Sequence, residues 1–411
     1  MQEILLLLYA NNFLTLANYI ALGLLLLFVL KSGGRLYILK DMAFASLVLA
    51  SLSYMVLYLK NAGMPSASSF FLRFVAPILL YYFGFMVGKE GTEKLKRSVL
   101  FIGFGGFLHG FLNIITNRDT DFLTIEGRSY NDIYGGNLSG TLQSLLFVVM
   151  CSLLSFLVLE RENKWLKILG IASACIALYG AVTNASRTLI YLTVIVFFVG
   201  MLIYQREKTN LLTGVAKTTA ILMVAALIVG LIIWLDLFRV QEWFSESALG
   251  QRLSQQTDGS SVSQNARWTY ASDILKLLPS YPLGGMNYPH YAHNLWVDIA
   301  KDAGIIPFAA YIVFALLSVK AGWRVLVDKK MKVLDKVFFV TVLIGLFMVF
   351  FTEPVMEGSP ITFTIFCFIV GGGIFCYAIR TKDRLNKKSI FASFLVTMGK
   401  APMFCPDGKE A

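Results

Sequence analysis

Ser186-Arg-Thr-Leu-Ile-Tyr-Leu-Thr-Val-Ile-Val-Phe-Phe-Val-Gly-Met-Leu-Ile-Tyr204 contains no charge after its second residue. A helix needs about 20 apolar residues to cross the hydrocarbon core of a bilayer. The run meets that length, with a single arginine at its start and Arg206 and Lys208 just past its end. It reads as one membrane-spanning helix. Working outward, comparable runs lie near 12–30, 41–59, 67–87, 98–115, 138–159, 165–183, 187–204, 214–236, 303–319, 336–352 and 361–379. The expectation is an all-α polytopic membrane protein with about eleven transmembrane helices and one large external loop. A weaker apolar run at 389–399 would make a twelfth span. Ile4–Tyr9 reads as continuous with the first span. It lacks a basic flank and follows Gln2-Glu3, so it does not read as a cleaved signal peptide.

Composition agrees with a lipid environment. Of 411 residues 57% are hydrophobic and 15% charged, against roughly 25% charged in soluble domains. Mean hydropathy is +0.68. The five cysteines, Cys151, Cys175, Cys367, Cys376 and Cys405, are scattered with no metal-type spacing and read as small packing residues.

Basic residues set the orientation. Of the 36 Lys and Arg, 26 fall in alternate loops on one side of the eleven-span arrangement. The positive-inside rule makes that side cytoplasmic, with an external N-terminus and a cytoplasmic C-terminus. The chain then divides into eight spans over 1–236 with an external loop near 116–137, a large external catalytic loop at 237–302, three spans over 303–380, and a cytoplasmic tail at 381–411. The net charge of +11 is accounted for by topology and anionic lipid head groups, and calls for no nucleic-acid partner.

Ten basic residues remain outside that set: Lys60, Arg73, Arg118, Arg128, Arg187, Arg239, Arg252, Arg267, Lys276 and Lys301. Seven are arginines, whose planar fork grips phosphate bidentately and stays charged when partly buried. An external face seeded with Arg points to an anionic ligand. Arg73 falls inside an apparent span, where a charge needs a partner or a route to the interface. Within the long loop, Arg267–Leu278 has helical spacing that puts Trp268, Ala271, Ile274 and Leu278 on one face, ending at Pro279 or Pro282. Gly284-Gly285 permits a tight turn before His290-Tyr-Ala-His293-Asn294.

Three chemistries compete for these residues. A zinc site needs three or four protein ligands, and beyond His290 and His293 the chain has one other histidine, His109, which reads as a packing residue in a glycine-rich span. A coupled transporter would carry mid-membrane ionisable groups and repeats; no repeat is evident and the spans lack buried acidic residues. Transfer from a lipid-linked diphosphate needs a base for the acceptor hydroxyl and fixed positive charge on the departing pyrophosphate. Histidine and the external arginines supply both without a metal or other cofactor.

Ser186-Arg187, Arg267-Trp268, Pro282–Gly285, His293-Asn294-Leu295 and Ala303–Pro307, in that order, resemble the O-antigen ligase and polymerase superfamily, most closely over roughly 180–310. The resemblance implies metal-independent transfer of glycans from undecaprenyl diphosphate at the outer face of the bacterial plasma membrane. It assigns Arg187 and Arg267 to the diphosphate and His293 to activation of the acceptor. Arg128, Arg252, His290, Asn294, Tyr288 and Tyr291 are further substrate-contact candidates. The short separation of Arg267 and His293 favours a polymerase, with the growing chain as donor, a lipid-linked repeat unit as acceptor and inversion at the anomeric carbon. A ligase acting on a lipid or protein acceptor is the alternative, and an exporter or ion transporter a more distant one. Expected partners are the lipid-linked donor and acceptor, membrane lipids, and a chain-length regulator or flippase.

Overall fold

A computed structural model describes residues 2–12, 23, 41–118, 129–160, 163–236, 239–257 and 264–373. The described residues are mostly helical. In order come α1 (Gln2–Asn11), α2 (Met42–Ala62), α3 (Ala67–Glu90) and α4 (Thr92–Thr116). A hairpin of β1 (Ser129–Asn131) and β2 (Asn137–Ser139) follows, then α5 (Gly140–Leu145), α6 (Val148–Ser152), α7 (Leu154–Leu159) and α8 (Lys164–Thr183). Next are α9 (Arg187–Lys208), α10 (Leu211–Trp234), α11 (Val240–Glu246), α12 (Ala248–Thr257), α13 (Gln264–Leu277) and α14 (Leu295–Ala303). The chain continues through α15 (Ile305–Val327), α16 (Val333–Thr352), α17 (Val355–Gly358) and α18 (Pro360–Gly373).

Seven helices among the described residues are long and apolar enough to cross a membrane: α2, α3, α4, α8, α9, α15 and α16. The expected spans at 41–59, 67–87, 98–115, 165–183, 187–204, 303–319 and 336–352 fall on these seven. Most of the first expected span, the end of the eleventh, the run at 389–399 and the 381–411 tail lie outside the described residues. The 214–236 run forms the 24-residue α10.

Three details depart from the sequence reading. The helix that holds Ile4–Tyr9, α1, stops at Asn11, and Asn12, the first residue of the expected span, takes a left-handed φ of 54°. The 138–159 stretch is not one uninterrupted helix. It runs as α5, α6 and α7, with tight i→i−3 bonds from Leu146 and Phe147 to the carbonyls of Gln143 and Ser144. Its apolar side chains from Phe147 to Leu157 are buried apart from Leu154, and broken helices at membrane depth are tolerated where protein surrounds them. The 116–137 loop, finally, returns as an antiparallel hairpin pairing Tyr130 with Leu138, a small exception to an all-α chain.

Small residues set how closely the helices approach. Between α3 and α18, a Cβ added at Gly84 would lie 1.9 Å from the Phe368 carbonyl oxygen, and one at Gly371 would lie 2.2 Å from that of Tyr81. Gly200 of α9 and Gly345 of α16 face the hydroxyls of Ser155 and Ser152 in the same way. Apolar surface gives no net drive for association in lipid, so close backbone packing of this kind holds helices together. An aromatic cluster of Tyr311, Phe314, Phe347, Phe350, Phe363 and Phe366 joins α15, α16 and α18.

The two ends of the bundle differ chemically. At one end Lys96 pairs with Asp335 at 2.7 Å and Lys336 with Glu207 at 2.5 Å, joining the start of α4, the start of α16 and the end of α9. Three loops expected on the same side of the membrane therefore meet. Helix α16 then runs about 30 Å, at 1.5 Å per residue, to the opposite end, where the polar motifs of the long loop collect.

Candidate active site

Pro354 determines the geometry at that opposite end. Proline disfavours helical backbone at the preceding residue, and Glu353 takes φ −138° and ψ 149°. Helix α16 stops at Thr352, so its last carbonyls lack intrahelical donors. Arg267 Nη1 donates to the Thr352 carbonyl at 2.8 Å, setting a cation against the negative helix end. From the first turn of α9, beside Arg187, Thr188 Oγ1 donates to Glu353 Oε1 at 2.9 Å. The other carboxylate oxygen, Oε2, faces His293 Nδ1 at 3.8 Å. Three distant parts of the chain, carrying Arg187, Arg267 and His293, thus meet at the Thr352–Glu353 corner.

Glu353 is nearly enclosed, its side chain 4% exposed, whereas that of His293 is 33% exposed. At 3.8 Å the pair is too far apart for a hydrogen bond. Both facing atoms are buried and have no hydrogen-bond partner among the described residues. A buried polar group left in that state costs about 1–3 kcal/mol.

The backbone at His293 is strained as well. Its φ of 54° is left-handed, a conformation costing about 1–3 kcal/mol that persists only where its surroundings enforce it. Asp298 supplies the constraint by accepting from the backbone N–H of Ala292 at 2.7 Å and of Asn294 at 3.2 Å, on either side of the histidine. Burial raises the Asp298 carboxyl to about 6, against the lowering effect of those two N–H groups, Lys301 and His293. Asn294 is the N-cap of α14, accepting from Trp296 and Val297 N–H at 3.2 and 3.3 Å. Trp296 packs on Phe351 at 4.6 Å, which brings the α14 start against the end of α16.

The Pro-Leu-Gly-Gly and Ala-Gly-Ile motifs form one interlocked piece. Gly284 and Gly285 have φ of 78° and 74°. Gly285 N–H donates to the Asp302 carbonyl at 3.1 Å, Met286 N–H to that of Lys301 at 3.2 Å, and Ile305 N–H to that of Pro282 at 2.9 Å. A Cβ at Gly284 would lie 2.5 Å from the Ala303 backbone nitrogen, and one at Gly304 would lie 2.2 Å from the Pro282 oxygen. Asn61, at the end of α2, donates to the carbonyls of Leu283 and Asp302 at 2.8 and 2.9 Å. Helix α13 closes the unit by burying Ile274 and Leu278, with Ala271 beside them, against Met286, Ala292, Val297 and Ala300. Trp268 does not share that face. It is 79% exposed, because at 100° per residue it stands about 90° round the helix from the other three.

The remaining predicted residues make contacts of their own. His290 stacks on Tyr270 at 4.5 Å and 17°, with Tyr288 edge-on to it at 6.3 Å. Tyr288 Oη donates to Asp273 at 3.3 Å. Tyr291 lies beneath Lys301 Nζ, 3.9 Å from the ring centre, and burial pushes its phenol up to about 12. Arg128 and the side chain of Arg252 lie outside the described residues. Among those described, no group of three or more His, Cys, Asp and Glu is arranged to hold a metal ion.

Sequence reading missed Glu353 and Glu357 and the partners of Arg73 and His109. Glu353 and Glu357 occupy the short gap Glu353-Pro-Val-Met-Glu357-Gly between two apolar runs; two carboxylates there, with a helix-ending proline, are the signal that could have flagged them. Asp298 and Asp302 carry the i, i+4 spacing of one helix face. Arg73 sits in a π-helical turn, Phe71–Val75, and its charge does not reach out to the interface: it forms a fork-to-fork pair with Glu357 at 2.7 and 2.8 Å and donates from Nη1 to the Tyr58 hydroxyl at 3.0 Å. His109 does more than pack. Its Nε2 meets Asp132 Oδ1 at 2.6 Å, and it lines a cavity of about 210 Å³ with Asn12, Ser68 and Ser359.

No protein-family profile and no curated protein match this chain. Among solved structures it is similar to a chain from "Structural coordination of polymerization and crosslinking by a peptidoglycan synthase complex", at 14% identity and a TM-score of 0.42 over 81% of this chain and 97% of that one.

Proposed function

We propose that this chain is a membrane glycosyltransferase that polymerises undecaprenyl-diphosphate-linked oligosaccharide repeat units into a surface polysaccharide. The reading is supported above all by the convergence of Arg267, His293 and the start of α9, which carries Arg187, at the corner where Arg267 meets Thr352, Thr188 meets Glu353 and His293 faces Glu353. A guanidinium offers five N–H donors. One from Arg267 anchors the side chain on Thr352, and the half-buried fork is suited to an anionic diphosphate. Arg187, half-buried at the start of α9, adds a second fixed charge on the same side.

In this reading the acceptor sugar hydroxyl gives its proton to the His293 imidazole. Its oxygen attacks the anomeric carbon of the donor from the face opposite the leaving group. The bond from that carbon to the diphosphate oxygen breaks, and its electron pair leaves on undecaprenyl diphosphate held by Arg187 and Arg267. Configuration inverts at the carbon attacked. The site end of the bundle faces outward in a bacterial plasma membrane, and the Lys96–Asp335 and Lys336–Glu207 end faces the cytoplasm, in keeping with the positive-inside count.

The test is reconstitution. Purified protein in liposomes with lipid-linked repeat units is expected to yield a ladder of longer lipid-linked glycans. Absence of a ladder, with transfer to a lipid-core acceptor instead, would replace polymerase with ligase. Transfer to neither acceptor would remove the glycosyltransferase reading.

A further inference from the structure

We propose that Glu353 is the positioning residue for His293: it keeps the imidazole proton on Nδ1 and so presents the Nε2 lone pair to the acceptor hydroxyl. The inference rests on His293 being the base in the reading above and adds a residue that none of the sequence motifs contains.

The argument starts from the two facing orphans. Glu353 Oε1 is satisfied by Thr188, while Oε2 is buried without a partner. His293 Nδ1 is buried without a partner too, and the two atoms face each other at 3.8 Å. An ionised carboxylate only accepts hydrogen bonds, so the imidazole atom opposite it must be the donor. A neutral imidazole carries one proton, and with that proton on Nδ1 the lone pair is at Nε2, on the far edge of the ring. A base needs that lone pair.

Why Oε2 is left for this task follows from the surroundings. Enclosing a carboxylate at the end of an apolar helix is unfavourable unless its oxygens find donors. Thr188 supplies one donor and Pro354 supplies none, because proline has no N–H. Arg267 is directed to the neighbouring Thr352 carbonyl. Among the described residues, the group that faces Oε2 is His293 Nδ1. Its ring is carried on a backbone that Asp298 clamps from both sides, so a shift of under 1 Å closes the pair to hydrogen-bond distance. Catalytic hydrogen bonds are often long before substrate arrives and tighten in the complex.

A purely structural role would have Glu353 only tying the start of α9 to the end of α16 through Thr188. Glu353→Gln separates the two roles. The amide oxygen keeps the Thr188 bond, and the amide N–H₂ then faces Nδ1, which must become the acceptor. The proton moves to Nε2 and the base is lost. Glu353→Leu removes both acceptors and with them the bias toward Nδ1–H.

The experiment is ring ¹⁵N spectroscopy of histidine-labelled protein in detergent, alongside polymerisation kinetics. The chain has three histidines, so His290→Ala and His293→Ala assign the signals. Wild type is expected to show Nδ1–H at His293, Glu353→Gln to show Nε2–H, and Glu353→Leu a mixture. In the same variants kcat should fall on the order of 10²–10⁴-fold, the usual contribution of a general base, with KM for the donor little changed. An unchanged His293 tautomer in both Glu353 variants would overturn the proposal whether or not the protein polymerises glycans. Altered tautomers in a protein that transfers no glycan would leave the positioning intact and remove the proposed reaction.

Discussion

Arg73 and Glu357 are 284 residues apart in sequence and meet fork to fork at 2.7 and 2.8 Å. The arginine side chain is 8% exposed and the glutamate 21%, with the Tyr58 ring 5.5 Å from the guanidinium carbon. The pair pins the π-helical turn of α3 to α17, four residues beyond Glu353. It therefore braces the segment that carries the candidate site.

Removing one partner of such a pair leaves a buried charge uncompensated and typically costs about 3–5 kcal/mol. Arg73→Ala and Glu357→Ala are each expected to lower the melting temperature in detergent markedly. Arg73→Met combined with Glu357→Leu, which removes both charges, should recover much of the loss. A double variant as unstable as the singles would show that the charges themselves are not the source.

Gly284→Ala should disturb the loop out of proportion to one methyl group. An L-residue at φ 78° costs about 1–3 kcal/mol in backbone strain alone, and the new Cβ would fall 2.5 Å from the Ala303 backbone. Faster proteolysis of the α13–α14 region is the expected readout. Gly230→Ala, which meets nothing within 4 Å, is the control, neutral or mildly stabilising. Equal protease resistance in the two variants would mean that the interlock does not hold the loop.

For Arg267, loss of a charge-assisted contact should cost on the order of 1.5–3 kcal/mol, or roughly 10- to 150-fold in transfer rate. Arg267→Lys should recover only part of it, because the charge stays and the fork does not. Full polymer length and yield from Arg267→Ala in cells would end its assignment to the diphosphate.

His293→Ala is expected to abolish chain extension while donor binding survives, and His290→Ala to be mild, since His290 is engaged in stacking on Tyr270. Chelators should leave the rate unchanged. Polymerisation that stops in EDTA and returns with a divalent cation would instead make the two histidines metal ligands.

A pH effect on stability follows from Asp302, which burial raises to about 7, and Asp298, raised to about 6. An unfolded carboxyl titrates near 4, so both groups bind protons more tightly in the folded state. Their favourable effect is complete below about pH 4 and is lost as pH rises through about 7. The melting temperature should therefore fall between pH 5 and pH 8, and Asp302→Asn should flatten that slope. A slope unchanged by the substitution would show that Asp302 does not carry it.

Much of the site was readable in one dimension. Arg187 does begin a span, Gly284-Gly285 does turn through left-handed backbone, and His293-Asn294 does open a helix. The interlock of Pro282–Gly285 with Ala303-Gly304 explains why those two motifs occur together. Trp268 was misplaced because a fourfold apolar match tolerated one member at the edge of the stripe. The 138–159 segment was misjudged because hydropathy counts apolar residues and is blind to the tight turns at Leu146 and Leu153.

The sequence by itself determined the solvent and the ends of the elements. Apolar run length, charge at helix ends, and the backbone limits of proline and glycine act within a few residues, so they can be read locally. Which carboxylate faces His293, what neutralises Arg73 and what anchors Arg267 were decided by tertiary structure alone. Those partners lie from 60 to 284 residues away, and only the close packing of α9, α14, α16 and α3 brings them within reach.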